Sequence, residues 1–144
     1  PILGWGFLFW RIIMSNYSGS LADGRAIYIP SWSAKVQFEN LSTACKFIGQ
    51  ENVIAISEIN VPVAMGAIMK ADDPEKAVEM MFHFVKQARI DGNKLMDDDA
   101  VGALGMSTII ELFTHVLHSQ FNDFFVSGLA GRTNQWLRQN INNN

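Results

Sequence analysis

Apolar positions recur with two different periods along the chain. Ile27-Tyr28-Ile29 is a short β-prone run closed by Pro30. Ala34 to Phe38 alternates, with Val36 and Phe38 on one side and Lys35 and Gln37 on the other. Alternation of this kind predicts a half-buried strand. The two runs together predict a hairpin across Pro30-Ser31-Trp32-Ser33, although Pro30 removes one donor. The preceding stretch, Ser15 to Gly24, is small and polar, which predicts a mobile lead-in.

From Asn40 the spacing becomes helical. Asn40 or Ser42 can cap a short helix carrying Leu41, Ala44, Cys45 and Ile48, and Gly49 is a natural stop. Glu51 to Ile59 fits a short helix better than a strand. Val61-Pro62 then opens another helix, with Pro62 in its first turn and Val63, Met65, Ile68 and Met69 along it. Asp72-Asp73-Pro74-Glu75 is a strong start signal, an acidic cap followed by Pro. The helix it opens runs to about Arg89, with Ala77, Met80, Met81, Phe84, Val85 and Ala88 three and four apart. Ile90 to Lys94 is a turn, and Asp97-Asp98-Asp99 can cap the segment after it. The longest stripe runs from about Ser107 to Phe125, before Gly128 and Gly131. The fold class is therefore mainly α: four to five short helices packed together with a small N-terminal β-hairpin. The single domain spans 27–129, after a flexible lead-in at 14–26 and before a flexible polar tail at 130–144.

Residues 1–13, PILGWGFLFWRII, have a different texture, with one charge and two of the four tryptophans. They are too few to span a bilayer, which takes about 20 apolar residues. Their only basic residue comes after the apolar run, against the order of a secretory signal. Trp10-Arg11 can be encoded by a purine-rich, ribosome-binding-like sequence, with Ile12-Ile13 as the spacer before Met14. The segment is expected to be translated upstream sequence. A buried N-terminal strand and an interfacial membrane segment are the alternatives.

Charge and cysteine content narrow the chemistry. The chain has 144 residues, 17% charged, with a formal net charge of −3. Residues 14–131 hold eight Lys/Arg against fourteen Asp/Glu, a net of −6. This argues against a nucleic-acid binder, which carries a basic patch. The single cysteine, Cys45, excludes an internal disulfide framework, and on an apolar helical face it reads as core. No Walker loop, G-x-G-x-x-G, G-x-S-x-G or H-E-x-x-H occurs. Glu111, His115 and His118 share one predicted helical face, the best set for a metal ion. Without a recognised ligand motif they read as solvated or hydrogen-bonded histidines. The consecutive aspartates 97–99 diverge and read as a helix cap, not a chelate. No catalytic, cofactor or metal site is assigned, and no enzymatic activity is expected.

The seven methionines offer another kind of site. Methionine fills core gaps, but it also makes surfaces that adapt to varied helical partners. Met65, Met69, Met80, Met81 and Phe84 are the candidate partner-binding residues. If Met80 is exposed, Met80→Asp weakens binding and leaves the fold intact; if it is core, that change unfolds the chain.

Three segments resemble phage tail-assembly chaperones: IPSWSAKVQFENL, AIMKADDPEKAVEMMFHFVKQARIDGNKL and ELFTHVLHSQFNDFFVSGL, which cover most of residues 27–129. The likeness is one of length, order of elements and texture. It implies a non-enzymatic protein that binds the tape-measure protein and helps recruit tail-tube subunits. It implies action in the bacterial host cytoplasm and absence from the mature virion, with no nucleic-acid or membrane partner. Self-association is compatible with that role. A structural tail or baseplate component and a small metal-binding helical protein are the other readings.

Overall fold

A computed structural model of the chain describes residues 16–129. The readings of residues 1–13 and 130–144 lie outside the described residues. The polar stretch before Ile27 carries strand β1, Tyr17–Ser20, paired antiparallel with β2, Ala26–Ile29. The mobile lead-in is thus corrected for these residues: backbone pairing with β2 orders them despite their polar side chains. The connection is tight, with the Leu21 N–H donating to the Arg25 carbonyl at 2.9 Å.

Ala34–Phe38 is not a strand. It is the first turn of α1, Ala34–Ile48, so the hairpin partner of β2 is β1. Ser33 Oγ accepts from the Val36 N–H at 3.4 Å and caps this helix. Asn40 and Ser42, the expected caps, lie inside it. The buried residues Asn40, Ala44 and Ile48 are spaced by four, whereas Val36 and Phe38 are exposed. Five alternating residues are too short a window to outvote a cap and a helical stripe. Gln120 pins the link into α1: its Oε1 accepts from the Trp32 N–H at 3.0 Å and its Nε2 donates to the Pro30 carbonyl at 2.9 Å.

Gly49 ends α1 with φ 86° and ψ 143°, a backbone state essentially reserved for glycine, and opens α2, Gln50–Ile56. Asn60 caps α3, Val61–Met69, with Pro62 in its first turn. Asp73 Oδ1 accepts from the Lys76 N–H at 3.2 Å and caps α4, Pro74–Val85. The expected extension of this helix to Arg89 does not occur. Tighter turns at Gln87 and Ala88 release the chain into β3, Arg89–Ile90, where Ile90 pairs with Ile27. Asp91 and Gly92, with φ 49° and 83°, form the two-residue connection to β4, Asn93–Lys94. Positive φ at both central residues is the hairpin turn that Asp-Gly favours. The sheet order is β1-β2-β3-β4.

Asp97 caps the short α5, Asp98–Gly102, through the Ala100 N–H at 2.8 Å. The long α6, Met106–Asp123, is buried on nearly all sides, with α4 and α3 among the elements packed on it. A π-helical segment, Phe124–Leu129, continues it. The core centres on an aromatic chain: Trp32 meets Phe84 edge-on at 5.4 Å, and Phe84 meets Phe113 at 5.6 Å. Among the described residues, six α-helices and a small antiparallel sheet make a mainly α fold, as the pattern predicts.

Candidate functional site

The candidate methionines separate into two environments. Met80 is 4% exposed and Phe84 fully buried. They occupy the inner face of α4, where Phe84 packs between Trp32 and Phe113. This corrects their assignment to a surface: at i and i+4 they face the centre of the core, and no partner reaches them in this fold. Met65, Met69 and Met81 instead come together on one apolar groove of about 320 Å³ between α3, α4 and the start of α6. Met81, Ile109 and Ile110 are buried there. Met69 and Met106, 73% and 69% exposed, stand at its edge with Val78.

Met106 and Val78 are among the groove residues that sequence reasoning missed, with Ile68, Phe82, Gly102, Ile109 and Ile110. Met106 begins α6 directly after Gly105, off the main apolar stripe. Val78 lies one position outside the α4 stripe. Both deviations are visible signals once the core face is known. Gly102, at the end of α5, leaves the groove open because nothing lies within 4 Å of where its Cβ would be.

The surroundings are mostly acidic. Glu75 and Glu79 flank Val78 on α4, with Glu79 held by Lys76 at 3.4 Å. Glu75 and Asp99 make no ion pair among the described residues. Lys70 follows Met69 in the chain.

The face that offered metal ligands is built as a clamp. His115 Nδ1 and Tyr17 Oη share a hydrogen bond of 2.9 Å. His118 Nδ1 donates to the Ser57 carbonyl at 2.9 Å, since a carbonyl can only accept. Glu111 Oε1 accepts from the Ala22 N–H at 2.6 Å. The three side chains thus hold β1, the β1–β2 turn and the end of α2 against α6. Burial pushes the His115 imidazole below its ordinary value; Glu111 partly opposes this and His118 adds to it. Burial likewise raises the Tyr17 phenol. Among the described residues no three or more His, Cys, Asp or Glu side chains come together as a metal ion would need.

Other chemistry is equally local. Cys45 is half-buried, and burial pushes its thiol up, away from the thiolate a nucleophile needs. Asp98 pairs with Lys86 at 2.6 Å. A wider cleft, about 540 Å³ beside the ends of α1 and α3, sets Lys46 and Lys70 against Asp72 and is lined by no His, Cys, Ser or Thr. Its volume exceeds that of the methionine groove, yet it converges no nucleophile and base. Among the described residues no helix is long and apolar enough to cross a membrane.

The arrangement is that of a helical domain with an apolar, methionine-lined groove, the geometry of helix-in-groove recognition. The family model for phage tail assembly chaperone protein, TAC, matches residues 23–131. The chain belongs to the phage tail assembly chaperone family. No curated protein and no solved structure matches it.

Proposed function

We propose that this chaperone covers an apolar helical stretch of the tape-measure protein with the α3–α4–α6 groove and helps bring tail-tube subunits to it. The observation that carries the reading is the groove itself. Flexible methionines adapt to successive, non-identical helical faces. The acidic body suits a basic or amphipathic helix. Affinity per copy need only be weak, because many copies on one long chain gain from multivalency. Release then occurs when polymerising tube protein competes for the same helix. The role is binding, without a chemical step. It is exercised in the host cytoplasm and ends before the virion is complete.

The test is co-purification with fragments of the tape-measure protein. Met69→Asp and Met106→Asp place a charge at exposed groove positions, where folding tolerates it and an apolar partner does not. Binding should weaken at least about tenfold with an unchanged melting temperature. Undiminished binding by the double variant overturns the groove assignment. Recovery of the chain as a stoichiometric part of purified virions overturns the chaperone role and makes it a tail component.

A further inference from the structure

The wide cleft beside the ends of α1 and α3 reverses the charge of the body around it. Phe47, Val63 and Ala67 give it an apolar lining, and Lys46 and Lys70 stand at it with Asp72. Both lysines are exposed, and neither makes an ion pair among the described residues. Lys46 Nζ lies 5.4 Å from the centre of the Phe47 ring, which holds the ammonium beside the apolar lining. Residues 14–131 carry a net charge of −6, so two such lysines on one cleft form a local basic site. It fits a segment with an exposed apolar side chain next to carboxylates.

The folded body displays such a segment. Met96 is 75% exposed and is followed by Asp97, Asp98 and Asp99, all exposed. Leu95 before it is buried, and Asp97 Oδ1 accepts from the Ala100 N–H at 2.8 Å. The turn thus presents Met96 from two fixed points and has little freedom left to lose on docking. The turn cannot reach the cleft of its own copy. Asp72 precedes α4, and Lys86, which holds Asp98 at 2.6 Å, follows it. The twelve residues between span about 18 Å, so turn and cleft lie toward opposite ends of α4. Contact between two different surfaces is head to tail: it leaves a cleft open at one end and a turn at the other, and so admits further copies. One turn in one cleft covers less than the about 1,200 Å² of a stable interface, so each contact is weak. Weak contacts become effective when copies are held close together.

We propose that Met96 and the Asp97–Asp99 turn of one copy dock in the Lys46–Lys70 cleft of the next, which joins copies head to tail. The contact does not depend on what the methionine groove binds. Helix α3 separates the two sites, with Met65 and Met69 lining the groove and Val63 and Lys70 lining the cleft. Every copy added to a row therefore brings a groove with it.

Sedimentation equilibrium of the full chain alone, over a concentration series, tests this. The wild-type average mass should rise past that of a dimer, and the rise should shrink in high salt. Lys46→Glu with Lys70→Glu disables the cleft, and Met96→Ser with Asp99→Ser disables the turn. Each pair should lower the association constant at least about tenfold with an unchanged melting temperature. Should the charge reversal lower the melting temperature, Lys46→Gln with Lys70→Gln takes its place. Mixed one to one, the two variants should form a dimer and stop there, because one intact turn meets one intact cleft. A wild-type mass that stays at the monomer overturns the proposal and leaves the cleft to an acidic segment of another protein. A mass that stops at the dimer overturns it in favour of a two-fold pairing. Association unchanged in either variant, or a mixture that stays monomeric, overturns it by showing that turn and cleft are not each other's partners.

Discussion

Tyr17 Oη lies 2.9 Å from His115 Nδ1, a hydrogen bond that joins residues 98 positions apart in the chain. It fastens the first strand to the central helix at a point where the imidazole is buried. Because burial disfavours the charged ring, the folded-state value falls below the ordinary 6.5. Above that pH neither the folded nor the unfolded chain holds the proton, and stability is insensitive to it. As pH falls below 6.5 the unfolded chain takes up the proton first, so stability drops until the folded-state value is passed. Melting temperature measured from pH 8 to pH 5 should therefore decline on the acid side. The decline should be shallower in His115→Gln. Equal slopes in both proteins would place the acid sensitivity elsewhere.

Met80 and Phe84 should behave as core. Phe84→Ala is expected to cost about 3–5 kcal/mol, the range for deleting a buried aromatic. Met80→Asp should unfold the chain, because it buries an unpaired charge. Met69→Asp, at an exposed position, should leave the urea midpoint nearly unchanged. A well-folded Met80→Asp protein would return that side chain to the surface.

These contrasts show how far local chemistry was legible in the sequence. Asp73-Pro74, Val61-Pro62 and Gly49 mark helix ends through chemistry confined to a few residues, and all three ends fall where that chemistry places them. The periodicity of α4 likewise identified an apolar stripe. It could not say which edge of the stripe meets the core, since Met80 and Met81 are neighbours with different surroundings. That depends on α6 and Trp32, which arrive from elsewhere in the chain. The same limit hid the pairing of Ile27 with Ile90 and of Tyr17 with His115. Ala34 to Phe38 failed for a local reason: a helical first turn whose apolar residues face outward imitates a strand.

Gly49 joins two helices through a backbone state that other residues avoid. Gly49→Ala should cost about 1–3 kcal/mol, although its Cβ would meet nothing closer than 3.9 Å. The penalty is conformational, so further enlargement to Ser should add little. Denaturant midpoints of the two variants check this. A cost that climbs with side-chain size would point to crowding instead.

Gly102 allows stability and binding to be moved in opposite directions. It ends α5 without positive φ, and open space surrounds the position of a Cβ. Replacing it therefore removes backbone freedom from the unfolded chain without a clash. Gly102→Ala should be neutral or stabilising by up to about 1 kcal/mol. Gly102→Leu should retain folding but project into the groove beside Met106 and Met81, because Gly102 lines it. If a partner helix occupies that space, its binding should weaken as the side chain grows from Ala to Leu while the melting temperature does not fall. Loss of binding through general destabilisation would require the two to fall together. A folded Gly102→Leu protein that binds as well as the wild type would show that the partner sits elsewhere.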